Sequence, residues 1–460
     1  MPEQLKYLNK LSAQKLDPQK NGTAEDRSGE QMGNSFILQG NICHTPHPGS
    51  LELREHACLV CEEGICRGIF DETGRIPEQY RDLEVIDCAD SLILPGMVDL
   101  HIHAPQYTFR GTGMDYELLE WLDRVTFPEE IRYADPGYAA RAYEFFSNGL
   151  KQGATTRAVI FGTIHVPSTL ILMDYMEKSG LVSFVGKVNM DRHAPPELTE
   201  KSASEAEADT RLFIEESRQR GYRRTKPIIT PRFVPTCTKE LMEALGKLRR
   251  EYDLPVQSHL SENPGDVELV AELEPEAAFY GDAYDRYGLF GREGNMVMAH
   301  GIYSTPEEMQ RIRENGVWIA HCPASNMDLA SGIAPVRRFL EKGIRVGLGT
   351  DVAGGFSDSI FRAMTDAIQV SNLYWRYIDS KARPLRFAES FYLATKGGGA
   401  FFGKVGSFED GYEFDAVVLD DSYLQSARPL TLMDRLERAV YLELDRETIA
   451  MKFAAGERIL

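Results

Sequence analysis

The sequence predicts an α/β protein: a TIM (β/α)8 barrel with a small discontinuous β-sandwich built from both chain ends. Three observations predict it. Apolar strand-like runs alternate with helical patterns through the middle of the chain. Several of those runs stop on a histidine or an aspartate, namely His101-Ile-His103, His259, His300 and Asp351. Short β-type runs bracket this middle segment on both sides. A doubly wound sheet is the alternative for the same alternation.

Taken in order, residues 1–34 are polar and read as a tail. Residues 35–94 form the first part of the β-sandwich. Ser35–Ile42, 57–70 and Leu83–Cys88 are its strands, with a Glu-Gly turn splitting the second into a hairpin. Residues 95–403 form the barrel. Its strands are expected at 97–103, 153–162, 181–190, 226–233, 255–261, 296–302, 316–322 and 344–351. Helical patterns separate them, as in 239–252 and 306–316. The second of these starts on Pro306 and is stopped by Gly316, as helices prefer. Residues 404–460 return to strands, at Phe414–Leu419 and 449–460, and complete the sandwich. Chain termini commonly lie close together, so the insertion is geometrically easy.

Bulk properties narrow the function. A net charge of −19 repels nucleic acid and anionic membranes, so neither is an expected partner. No apolar run is long enough to span a bilayer, and no basic-then-apolar leader is visible, so a cytoplasmic protein is expected. Seven cysteines, an odd count, read as free thiols in a reducing compartment. Cys58-x2-Cys61-x4-Cys66 straddles a hairpin and lacks a fourth ligand nearby. It reads as small buried apolar residues rather than a zinc site.

Barrel active sites lie at the C-terminal ends of the strands, where these histidines stand. His101 and His103 are two apart on one strand, so both imidazoles face the axis and Ile102 packs outward. With His259 and Asp351 they can form a His3Asp shell around zinc or iron. Glu262 follows His259 by three residues, so the chain must turn to hang it over the metal, where a general acid/base belongs. A surface glutamate opening a helix is the plain alternative. Asp351 can also accept a proton from the water. His300 is either a ligand or a hydrogen-bonding partner of water and substrate. His321 is expected to support a ligand from behind. Arg232, at the rim end of the fourth strand, can hold a substrate carbonyl.

Taken together, Pro95-Gly-Met-Val-Asp-Leu-His-Ile-His, Ser258-His-Leu-Ser-Glu, Met298-Ala-His-Gly, His321-Cys-Pro-Ala-Ser-Asn and Gly347-Leu-Gly-Thr-Asp resemble the amidohydrolase superfamily, in its single-metal aminohydrolase branch. The likeness covers residues 35–460. Two-metal relatives place a bridging lysine on the fourth strand; here Lys226 sits at the wrong end, which favours one metal. Within the branch, His103-Ala-Pro-Gln-Tyr, Leu118-Leu-Glu-Trp-Leu, Thr126-Phe-Pro, Thr230-Pro-Arg-Phe, Asp351-Val-Ala-Gly-Gly and Val370-Ser-Asn are similar to the members that deaminate guanine.

The resemblance implies one zinc ion per subunit, with iron the alternative, on His101, His103, His259 and Asp351. It implies a proton shuttle at Glu262. It implies a purine base held by Gln106, Arg232 and Phe233, release of ammonia to leave xanthine, and a homodimer. The rival of the same chemistry is another single-metal aminohydrolase or chlorohydrolase acting on a different purine, pyrimidine or triazine. The rival of another class is a non-catalytic assembly protein, which ordinarily loses ligands; here all are present.

Overall fold

The computed structural model describes residues 34–71, 75–292, 294–444 and 446–460. The tail expected over residues 1–34 lies outside them except for Asn34. That residue is already tied to the sheet, accepting from Gly64 N at 2.9 Å.

The first strands are β1 (Phe36–His47), β2 (Ser50–Glu62), β3 (Ile65–Phe70) and β4 (Glu84–Pro95). The chain then enters β5 (Met97–His103), β6 (Thr155–Phe161), β7 (Val182–Gly186), the short β8 (Val188–Asn189), β9 (Thr225–Pro227) and the short β10 (Thr230–Pro231). These are followed by β11 (Val256–Leu260), β12 (Met296–His300), β13 (Trp318–His321) and β14 (Arg345–Leu348). The last strands are β15 (Ala416–Leu419), β16 (Ile449–Ala454) and β17 (Glu457–Arg458).

Two parallel runs make the barrel: β5-β6-β7-β9 and β11-β12-β13-β14. They join through the parallel bridge of Ile229 with Val256. They close where Asp351 N donates to His101 O at 2.9 Å and His103 N donates to Val352 O at 3.1 Å. Val98, Leu100, Val159, Ile228, Val297, Ala299, Trp318 and Ala320 fill the ring in one buried cluster with Phe401. That is the packed interior such a ring requires.

Helices follow the strands. Lys239–Tyr252 is capped by Thr238, whose hydroxyl accepts from Leu241 N at 3.2 Å. Pro306–Asn315 starts under Thr305 and ends on Gly316 at φ 68°, as its Pro and Gly foretold.

Strands from both chain ends share one sheet, in the order β17-β16-β15-β4-β1-β2-β3. Hydrogen bonding runs continuously across its seven strands. The joint is β4, parallel to β1 on one side and antiparallel to β15 on the other. C-terminal residues 449–460 are a hairpin of two strands rather than one. Cys61 and Cys66 are cross-strand partners, and burial pushes both thiols up to about 12, so they pack as small apolar groups.

Sheet and barrel are held together by a buried ion pair. Arg157 on β6 donates to both oxygens of Asp415, at 2.7 and 2.9 Å, and Thr156 and Ala455 N complete its shell. Burial would raise the Asp415 carboxyl, but the guanidinium holds it below its usual range. Removing one partner strands a buried charge. Asp415→Ala is therefore expected to cost about 3–5 kcal/mol, read as a lowered thermal midpoint with metal content unchanged.

Candidate active site and metal centre

Alternation along β5 would not by itself deliver the two histidines. Val98 and Leu100 already point into the ring, so a regular strand would send His101 and His103 outward. The register against β6 slips: Asp99 pairs with Ala158 and Ile102 with Ile160, three residues against two. That bulge turns both imidazoles into the ring, as bulges beside active sites do. Asp99 pins it, accepting from His101 N and Thr350 N, each at 3.1 Å, and from Thr350 Oγ1 at 2.6 Å.

Three further turns aim the other side chains. Ser261, His300 and Asp351 all have left-handed backbone, with φ of 45°, 74° and 50°. Such conformations cost about 1–3 kcal/mol each in non-glycine residues and cluster at functional sites. The one at Ser261 brings Glu262 back over the rim, the turn required by its spacing from His259.

The result is a tight group of donors. His101 Nε2 and His103 Nε2 lie 3.1 and 3.4 Å from Asp351 Oδ1. The two Nε2 atoms are 3.2 Å apart, and His259 Nε2 is 3.3 Å from that of His103. One donor atom from each of His101, His103, His259 and Asp351 lies within 4.8 Å of the others. His259 Nδ1 donates to Arg232 O at 2.6 Å, which leaves Nε2 bare as a ligand. Burial keeps His103 and His259 neutral, His103 down to about 4. Burial opposes ionisation of Asp351, but the neighbouring imidazoles hold it well below the usual carboxylate range. Neutral imidazoles converging on one carboxylate fit a single divalent cation.

Above this group stands Glu262, 5% exposed and accepting from Ser331 Oγ at 3.3 Å. Burial, reinforced by the Asp351 charge, pushes its carboxyl up to about 8, so it holds a proton at neutral pH. His300 lies outside the four-residue group. Its Nε2 sits 3.4 Å from Glu262 Oε2 and 3.6 Å from Asp351 Oδ2, with no hydrogen-bond partner among the described residues, while Nδ1 pairs with Asn326 Oδ1 at 2.8 Å.

A cavity opens over the group. It is lined by Gln106, Arg232, Phe233 and Glu262, with Leu118, Trp121, Leu122 and Leu329 as apolar walls. All the sequence-predicted site residues therefore meet here except His321. That histidine is buried, and neither ring nitrogen has a hydrogen-bond partner among the described residues. It lines a separate pocket among Val336, Ala367 and Val370. Trp318 and Ala320 of the same strand face inward, so His321, of opposite parity, faces the helices and supports no ligand.

Two residues escaped the sequence reading. Phe161 ends β6 and packs against His101 and His103, at 4.9 and 4.5 Å between ring centroids. Glu130, 4% exposed, accepts from Gln106 Nε2 at 2.9 Å and from Arg232 Nη1 at 2.6 Å.

Gly349 leaves no space for a side chain: a Cβ would stand 2.9 Å from His101 Cβ and 2.8 Å from Cys322 Sγ. Gly349→Ala should displace His101 and weaken metal affinity by about 10–100-fold, the usual effect of disturbing a ligand's support; metal titration of the apoprotein checks it.

The family model described as the amidohydrolase family matches residues 92–456. The chain belongs to the amidohydrolase family. It is 38% identical over 398 residues to the guanine deaminase of Mus musculus, covering 84% of this chain and 86% of that protein. To the guanine deaminase of Escherichia coli (strain K12) it is 36% identical over 426 residues, covering 90% and 93%. The solved guanine deaminase from C. acetobutylicum, with guanine bound in its active site, superposes with a TM-score of 0.89 at 43% identity. It covers 93% of this chain and 100% of that one. No helix of the described residues is long and apolar enough to cross a membrane.

Proposed function

We propose that this chain hydrolyses guanine to xanthine and ammonia, using one zinc ion held by His101, His103, His259 and Asp351. The observation that carries it is the likeness to the guanine-bound C. acetobutylicum enzyme, at 43% identity over 93% of the chain. The cavity adds chemistry suited to a flat polar base: the Phe233 ring, the Gln106 amide and the Arg232 guanidinium.

A bound divalent cation supplies a Lewis acid that lowers the pKa of water from 15.7 towards about 7. The chain's own residues do the rest. Arg232 and Gln106 orient the base with its C2 towards Asp351. Asp351 accepts a proton from the attacking water. Glu262 gives its proton to the ring nitrogen beside C2. His300 Nε2, between the two carboxylates, steadies the water. A new C–O bond forms at C2, the C–N bond to the exocyclic amine breaks as the proton held by Asp351 passes to the leaving nitrogen to make ammonia, and the proton left on the C2 hydroxyl returns to Glu262, giving the C2 carbonyl of xanthine. The homodimer and a cytoplasmic location belong to the same reading. Sedimentation of the purified protein checks the first.

Ammonia release from guanine, adenine, cytosine, 8-oxoguanine and melamine tests the substrate. Guanine is expected to dominate, with xanthine as co-product. Ammonia from another base and none from guanine would overturn the assignment.

A further inference from the structure

Glu130 ends the short helix Phe127–Glu130 and is not among the residues that line the cavity. Its carboxylate is buried, and each oxygen is spent on a different pocket residue: Oε1 on Gln106 Nε2 and Oε2 on Arg232 Nη1. The other end of the Gln106 amide is also committed, since Ala353 N donates to its Oε1 at 3.0 Å. The amide therefore has one orientation. Flipped, it would set its carbonyl against a carboxylate and its NH2 against a backbone N–H, losing both bonds. Arg232 is fixed in the same way, with its guanidinium carbon 5.4 Å from the centre of the Phe127 ring.

Both side chains line the cavity. What each has left to offer there is an N–H: the second hydrogen of the Gln106 amide and the unused guanidinium N–H groups of Arg232. A wall of donors suits a base edge of acceptors. Guanine presents acceptors at O6 and N7, whereas a purine with an amine at position 6 presents a donor there.

We propose that Glu130 is a positioning residue that sets the purine specificity of this site. It holds Gln106 and Arg232 with N–H groups towards the base, so that a 6-oxo purine is taken and a 6-amino purine refused. This rests on the cavity being the purine site. Glu130 acts through its two partners and takes no part in the proton transfers.

The test compares guanine with 2,6-diaminopurine, which carries the same amine at C2 but an amine in place of O6. Glu130→Gln preserves shape but cannot accept from both partners, and it frees the Gln106 amide to turn. The expected result is a rise of about tenfold or more in KM for guanine with a smaller change in kcat. The guanine preference over 2,6-diaminopurine should shrink by about tenfold or more, the effect of one mispaired hydrogen bond. Metal content should be unchanged. A merely structural residue would slow both substrates alike, so an unchanged ratio overturns the proposal.

Should the variant fail to fold, the wild-type protein decides. Hypoxanthine is expected to compete with guanine at least about tenfold better than adenine, and equal competition overturns the proposal. If wild-type protein releases no ammonia from guanine, it is the functional reading that fails, not the role of Glu130 alone.

Discussion

Glu262→Gln is expected to keep its metal and its fold while losing turnover on the order of 10²–10⁴-fold, the range positioned acid/base groups supply. Glutamine matches glutamate in shape and can still accept from Ser331 Oγ, which holds Glu262 at 3.3 Å. It cannot carry the proton. The loss should fall on kcat, because Gln106, Arg232 and Phe233 remain in place to bind the base. Stability provides the control. Burial raises the Glu262 carboxyl to about 8 in the folded chain, against about 4.3 for an exposed glutamate. The folded state therefore holds a proton that the unfolded state has released between those pH values. This costs stability progressively as pH rises through that window. A neutral glutamine has no such cost, so the variant's thermal midpoint at pH 8 should equal or exceed that of the wild type. Near-normal rates in this variant would remove Glu262 from the proton path. A lowered midpoint with parallel loss of metal would make it a structural residue instead.

The strand-end histidines were legible because spacing and strand period are local properties. His101, His103, His259 and Asp351 each end an apolar run, and a parallel ring brings all such ends to one face. The means of aiming them was not legible. The bulge between Asp99 and Ile102 depends on the neighbouring strand's register. The left-handed backbone at Ser261, His300 and Asp351 is uncommon in any non-glycine residue. Tertiary contacts hold both. Glu130 was hidden for a related reason. An acid within Thr126-Phe-Pro-Glu-Glu reads as a solvated helix residue, and its partner Arg232 lies 102 positions away. His321 shows the opposite failure: its strand-end position was right, but parity turned it away from the site. The β-rich chain ends were read as strands correctly. Which strands would pair was decided by β4, whose neighbours β1 and β15 come from opposite ends of the chain.

His101→Ala is expected to abolish metal binding and turnover together. His101 touches every other member of the group: Asp351 through Nε2 at 3.1 Å, His103 at 3.2 Å between Nε2 atoms, and the His259 ring at 4.8 Å between centroids. Its loss removes one of the three proposed nitrogen ligands and leaves Asp351 without its closest partner. The buried carboxylate of Asp351 is kept ionised chiefly by the His101 imidazole acting against burial. Without that imidazole, Asp351 is expected to take up a proton more readily and bind a cation less well. The two losses compound, so affinity should fall further than one missing ligand alone would cause. Ligand linkage makes the effect visible without any assay of turnover. A cation that binds only the folded chain raises stability by RT ln(1 + [L]/Kd), about 2.7 kcal/mol at a hundredfold excess over Kd. Wild-type protein stripped by chelation should regain thermal stability when zinc is returned, whereas His101→Ala should show no such gain. A variant that still bound zinc and was stabilised by it as the wild type is would show that the cation, if any, is held elsewhere.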